Sequence, residues 1–369
     1  MRRALWPAAL LPLLAAAAAQ ERVVEIADIL NQRQLDPLPR QEMLAVDAAD
    51  LEPLLRSRDP YARLLSPEQY AAFRAGGSPA VGIGMQLSGD DGRWFLVPIP
   101  GGPAWEAGIQ VRAELLSIEG RSVRGQSLDW VAQRLRGPAD SSVLLVLETA
   151  SSQLLARRVP RQAFAPPAVS YREDEGLALL TIWDFRTRDT QRDLRNGLQR
   201  ALDAGKRPLI DLRQATGGDL YEALDCTGLF LPPGSPVAGI EDPSGQRREL
   251  SAPDGPRLLQ EPVLVVIGPG TASAAEAFAL ALQANGAARL LGEPSYGKCL
   301  TQTLVPLGDG GAVRFSNGRL WGPAGTPCRE QGLEPDLPVV GVESKAARAL
   351  LEETAGALAS EPAGPILTQ

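Results

Sequence analysis

The second half of the chain alternates between two kinds of pattern. Four short apolar runs, GLALLTIWDF, RPLIDLR, EPVLVVIG and ARLLGEP, read as strands. The amphipathic TQRDLRNGLQRALDAG, the glycine turn and helix GGDLYEALDCTGLFL, and the helix-like AAEAFALALQ lie between them. Strands regularly interrupted by helices argue an α/β domain with a largely parallel sheet. A sheet of that kind keeps its functional groups in loops at the carboxyl ends of its strands, so those loops are where chemistry is to be sought.

The preceding residues, 79–153, have a different character. VGIGMQL, RWFLVPI, LLSIEGRSV and SSVLLVLE read as strands, and GGPAWEAGI is a loop into a short helix. SLDWVAQRLRG opens on a serine cap and sets Leu128, Val131 and Leu135 at helical spacing. This span resembles a PDZ domain. The resemblance implies that a peptide adds as a strand along residues 84–87 and that loop amides at 82–84 take its terminal carboxylate. Gly82, Ile83, Gly84, Met85 and Leu87, with Leu128 and Val131 from the helix, are then the peptide-binding residues. Glycine suits the loop because its backbone must approach the ligand closely. Arg112 and Ala113 depart from the usual Gly-Asp after the short helix.

Residues 20–78 read as a small helical arm. Val24, Ile26, Ile29 and Leu30 follow a helical stripe, and Pro37, Pro39, Pro53, Pro60 and Pro67 break the segment into short pieces that pack on something else. Residues 1–19 have the form of a signal peptide: the positive MRR, an apolar stretch, and small residues that allow a cut after Ala19. The mature protein is therefore expected to be exported and periplasmic, or membrane-associated if the leader is retained. A Pro-rich connector follows the PDZ-like span, the α/β core occupies 165–345, and 346–369 form a tail with no functional signal.

Composition narrows the chemistry. The chain has 369 residues, a formal net charge of −7 and no histidine. The acidic balance argues against nucleic acid as a partner. Without histidine there is no Ser-His-Asp triad and no His-ligated metal site, so a hydrolase built on this chain needs Lys, Asp or Glu as its base. Lysine occurs only at 206, 298 and 345.

Three segments of the α/β region carry candidates. In GPGTASAAEAF, residues 268–278, Ser273 lies between a strand and a helix. Ser273 and Glu276 spell the S-x-x-E of a capping box, and the same position also presents a serine hydroxyl over the sheet, so both readings stay open on this window. In DLRQATGGDL, residues 211–220, paired glycines at a helix start expose backbone N–H groups suited to an oxyanion. In GEPSYGKCLTQ, residues 292–302, Lys298 follows a glycine turn. An exposed lysine titrates near ~10.4 and must fall to roughly 7–8 to act as a base, which burial can achieve.

Together these segments resemble the carboxyl-terminal processing peptidases, the tail-specific serine proteases of family S41 that carry a PDZ domain. GTASAAEAFALALQANGAARLLGEPSYGKCLTQ matches the family's nucleophile-to-lysine segment, DLRQATGGDLYEA its Gly-Gly turn, and WGPAGTPCREQGLEPDLPV its closing motif. The resemblance implies a crotonase- or Clp-like α/β core with a PDZ domain upstream and an N-terminal helical arm. It implies Ser273 as nucleophile, Lys298 as base and Gln302 as the residue that orients the amine, with Ala274, Gly217 and Gly218 forming the oxyanion hole. The substrate would be the carboxyl terminus of an exported protein. No metal or cofactor is implied, and a homo-oligomer or an adaptor partner stays open. Glu276 is assigned nothing beyond capping. Ala275, Ala215, Thr216 and Cys299 depart from the family pattern, and Cys299 and Cys328 are expected to pair if their strands are neighbours. The competing readings are an inactive PDZ-bearing scaffold, which the altered oxyanion turn favours, and an acyl-CoA enzyme of crotonase type, which export opposes.

Overall fold

The computed structural model describes residues 10–74, 80–90, 92–174 and 176–339. The first nine residues of the expected leader, the last six of the expected core and the tail 346–369 lie outside them. The backbone divides into two compact units, 75–170 and the remainder.

In the larger unit a six-stranded sheet runs in the order Val169–Asp174, Leu177–Ile182, Arg207–Asp211, Val263–Ile267, Ala288–Gly292, Leu337–Pro338. From Leu177–Ile182 onward neighbouring strands are parallel, as the alternation of strand and helix patterns requires. All five residues of Val263–Ile267 are buried. The helix Thr190–Asp203 buries Thr190, Leu194, Gly197, Leu198 and Ala201. Gly197 lets it close on the sheet, since a Cβ there would come 2.7 Å from Leu180 Cδ2.

A second, antiparallel sheet was not legible as strands in the sequence. Its path is Arg63–Leu65, Ala312–Trp321, Pro236–Glu241, Arg247–Ser251, and Leu300–Pro306 pairs with Ala312–Trp321 as well. The arm joins the protein here. Its helix Leu10–Arg33 buries Val23, Ile26, Ala27 and Leu30, a stripe rotated from the expected Val24 and Ile29, which are only partly buried. Those side chains form one core with Met43, Leu51, Leu55, Leu307, Val313 and Phe315, so the arm is part of the larger unit. No helix among the described residues is long and apolar enough to cross a membrane.

The smaller unit is a sheet in the order Met85–Asp90, Arg93–Pro98, Ala113–Ile118, Ser142–Thr149, Leu154–Pro160. The helix Leu128–Leu135 is capped by Ser127, whose Oγ accepts from the Trp130 amide at 3.2 Å. The unit continues past residue 153: Leu154–Pro160 pairs along Ser142–Thr149, and Gln162–Phe164, within the Pro-rich connector, pairs with Ala80–Gly82.

Candidate active site

The strand Val263–Ile267 ends in a turn that is pinned to its neighbour. Thr271 Oγ1 accepts from the Gly268 amide (3.0 Å) and donates to the Leu212 carbonyl (2.9 Å), and the Ala272 amide donates to the Ala215 carbonyl (3.0 Å). Gly270 allows this approach, because a Cβ there would stand 2.3 Å from the Arg213 carbonyl oxygen. The chain then enters helix Ala274–Ala284 through Ser273, which has φ 58° and ψ −120°. A residue with a side chain at such a φ costs roughly 1–3 kcal/mol and persists only where its surroundings impose it. Here they do so through Glu276.

Glu276 is 3% exposed. Its Oε2 accepts from the Ser273 amide (2.7 Å) and from the Lys298 amide (2.9 Å). Its Oε1 accepts from Ser295 Oγ (2.5 Å) and from the Gly297 amide (2.7 Å). One buried carboxylate therefore holds the serine turn and the lysine loop together, with one oxygen touching the main chain of both Ser273 and Lys298. The capping box exists, and it does more than cap. The sequence pattern S-x-x-E contains no trace of the partners some twenty residues away.

The paired glycines lie against the serine turn. Gly217 and Gly218 have φ of 117° and 127°. A Cβ at Gly217 would come 2.9 Å from Ser273 Cβ and 3.4 Å from the Ala274 nitrogen, and one at Gly218 would come 2.4 Å from the Phe185 carbonyl oxygen. Ala274 opens its helix, so its N–H belongs to the first turn, which has no intrahelical acceptor. Ala215, where the resemblance leads one to expect another residue, is fully buried and serves through its carbonyl. The strand before the turn is braced by Arg213, whose Nε and Nη2 bind the two oxygens of buried Asp211 at 2.9 and 2.6 Å.

Lys298 is half-buried. Its Nζ donates to Gln302 Oε1 at 2.9 Å, and Gln302 Nε2 donates to the Tyr61 carbonyl at 3.4 Å. Burial lowers the pKa of the amine from its ordinary value, and the Arg314 guanidinium lowers it further, against the pull of Asp59 and Glu276. A serine on a strained strand-to-helix turn, backbone amides of the adjoining helix start and glycine turn, and an amine whose ammonium form is disfavoured are the groups that acyl transfer requires. Beside the lysine, Cys299 and Cys328 form a disulfide with Cα atoms 5.5 Å apart. Cys226 is a buried free thiol, its pKa pushed up by burial.

In the smaller unit, Met85–Asp90 ends the strand order among the described residues, next to Arg93–Pro98. Met85 and Leu87 are partly buried, and Leu128 is 53% exposed on the neighbouring helix. Ile83 and Val131, two of the expected peptide-binding side chains, are buried in the unit's core. At Gly84, with φ 67°, a Cβ would come 2.6 Å from Pro103 Cδ. Arg112 stacks over the Phe95 ring at 4.0 Å, and Ala113 begins a strand.

Residues 176–339 match peptidase family S41, and residues 94–149 match the PDZ domain. The chain belongs to the S41 peptidases that carry a PDZ domain. Among S41-type relatives, a "Probable CtpA-like serine protease" of Staphylococcus aureus (strain COL) is 26% identical over 323 residues, covering 86% of this chain and 64% of the relative. The chain thus spans a little under two thirds of that protein's length. A "Carboxy-terminal-processing protease" of Bartonella bacilliformis is 28% identical over 86% of this chain and 75% of its own length. Among solved structures, the photosystem II D1 C-terminal processing protease superposes with a TM-score of 0.65 at 25% identity, over 88% of this chain and 93% of that one. The S41 core with a PDZ domain upstream is the fold expected above.

Proposed function

We propose that this S41 protein is an exported serine endopeptidase that cleaves proteins near their carboxyl termini. The observation that carries the reading is the Glu276 staple, with the Ser273 and Lys298 amides on one oxygen and the lysine amine held by Gln302. Ser273 Oγ attacks the scissile carbonyl carbon as Lys298 Nζ takes its proton. The Ala274 amide, with Gly217 or Gly218, stabilises the tetrahedral oxyanion. Lys298 returns the proton to the leaving amine, and water then attacks the acyl-enzyme by the same route in reverse. The smaller unit binds the substrate tail along Met85–Asp90, the end strand of its sheet. The disulfide beside Lys298 is stable in an oxidising compartment, which supports export.

The test is incubation of the purified chain with fluorescein-labelled unfolded casein beside Ser273→Ala and Lys298→Ala. Cleavage by the wild type and loss in both variants is expected. Cleavage that survives either substitution sinks the dyad.

A further inference from the structure

The amine of Lys298 has a roof that comes from the far end of the chain. The Tyr61 ring centroid lies 4.5 Å from Lys298 Nζ, and the Tyr61 carbonyl accepts from Gln302 Nε2, so one arm residue touches both the amine and the side chain that orients it. Tyr61 is itself held from two directions. Asp59, 6% exposed, accepts from the Tyr61 amide (3.0 Å) and from the amide and hydroxyl of Ser316 (2.6 and 3.0 Å), which fastens this stretch of the arm to strand Ala312–Trp321. On the other side burial, with Tyr296 two residues before the lysine acting on the same hydroxyl, pushes the Tyr61 pKa up to about 12, so it stays a neutral phenol. The Tyr296 amide in turn donates to the Thr271 carbonyl (2.9 Å) in the serine turn.

We propose that Tyr61 is a positioning residue for the peptidase reaction, its ring excluding water from Lys298 and thereby keeping the amine neutral at working pH. This rests on the dyad reading above. The groups that act on the amine are Arg314 on Ala312–Trp321, Asp59 and Tyr61 from the arm, and Glu276 from the helix after Ser273. Asp59 and Glu276 favour the ammonium, Arg314 disfavours it, and the face of an aromatic ring attracts it. Desolvation outweighs these pulls, and the ring of Tyr61 is the apolar surface that lies over the amine. The hydroxyl is dispensable to this role, because the shielding surface is the ring.

The experiment is a pH profile of kcat/KM on labelled unfolded casein, from pH 5.5 to pH 10, for the full chain and three variants. In Tyr61→Ala water reaches the amine, and the acidic limb moves upward by about one pH unit. Activity at pH 7 then falls roughly tenfold and recovers to the wild-type level above the new limb. Recovery at high pH also shows that the variant is folded. Tyr61→Phe overlays the wild type, and Tyr61→Leu, which keeps apolar bulk without a ring face, shifts less than Tyr61→Ala. A Tyr61→Ala limb that overlays the wild type, moves to lower pH, or loses activity equally at every pH overturns the proposal while the dyad stands. Activity retained by Lys298→Ala overturns the dyad itself, and this proposal with it.

Discussion

Replacement of Glu276 by glutamine separates a helix cap from a staple. The carboxylate accepts four hydrogen bonds, two on each oxygen. An amide offers one accepting oxygen and one donating nitrogen, so whichever way it turns, one pair of donors meets an NH2 group. The milder orientation points the NH2 at Ser295 and Gly297. Ser295 Oγ can rotate and accept, although it already accepts from the Leu333 amide at 2.7 Å. The Gly297 N–H cannot adapt and is left facing another donor. Hydrogen bonds to charged groups are worth about 1.5–3 kcal/mol, so losing one, with the lysine loop displaced from the serine turn, corresponds to a fall of roughly tenfold to a hundredfold if the loss falls on the transition state. Steady-state cleavage of labelled casein reads it: kcat falls in that range while KM stays within about twofold, since the residue touches the Ser273 and Lys298 loops that the proposed dyad uses. Thermal unfolding measured beside it gives the alternative. If Glu276 only caps its helix, the variant loses about 1 kcal/mol of stability and keeps its kcat, and that result would refute the reasoning.

The remaining tests address other parts of the molecule. Thiol titration of the native protein is expected to find Cys299 and Cys328 unreactive, with two thiols released on reduction while Cys226 stays buried; kcat falls on reduction because the constraint beside Lys298 is lost, and unchanged kcat denies the bridge a role in the site. Leu30→Ala, at a fully buried position where the arm meets the core, should cost about 2–5 kcal/mol in denaturant unfolding. Leu128→Asp alters a side chain that is 53% exposed, so stability should change by less than about 0.5 kcal/mol. Affinity for an apolar-tailed peptide should fall at least tenfold by fluorescence anisotropy.

How much of this was legible depends on distance along the chain. The parallel sheet was readable because Val263–Ile267 and its neighbours are apolar runs whose separators carry helical spacing. The antiparallel sheet was not, because Leu300–Pro306 is only partly buried and Ala312–Trp321 buries polar Ser316 among its apolar residues, so neither shows clean alternation. Ser273, Lys298 and Gln302 came from motif resemblance. Glu276 shows only its cap in the sequence, because S-x-x-E has a sufficient local explanation. Tyr61 carries no sequence signal: it lies 241 residues from Gln302, and no periodicity or motif links an arm residue to a loop that far away. What the sequence hid in each case was a contact between segments whose local patterns are complete without it.

The pairing of Arg63 with Arg314 across strands Arg63–Leu65 and Ala312–Trp321 also fixes an order of events during synthesis. The arm is made first, and the strand that receives it is among the last parts of the described chain to be translated. At roughly 5–20 residues per second the interval is on the order of ten to fifty seconds. Throughout it Asp59 has no Ser316 to bind, and Tyr61 has nothing to cover. A nascent chain that has not yet reached Ser316 therefore lacks the clasp that seats this stretch of the arm on its strand.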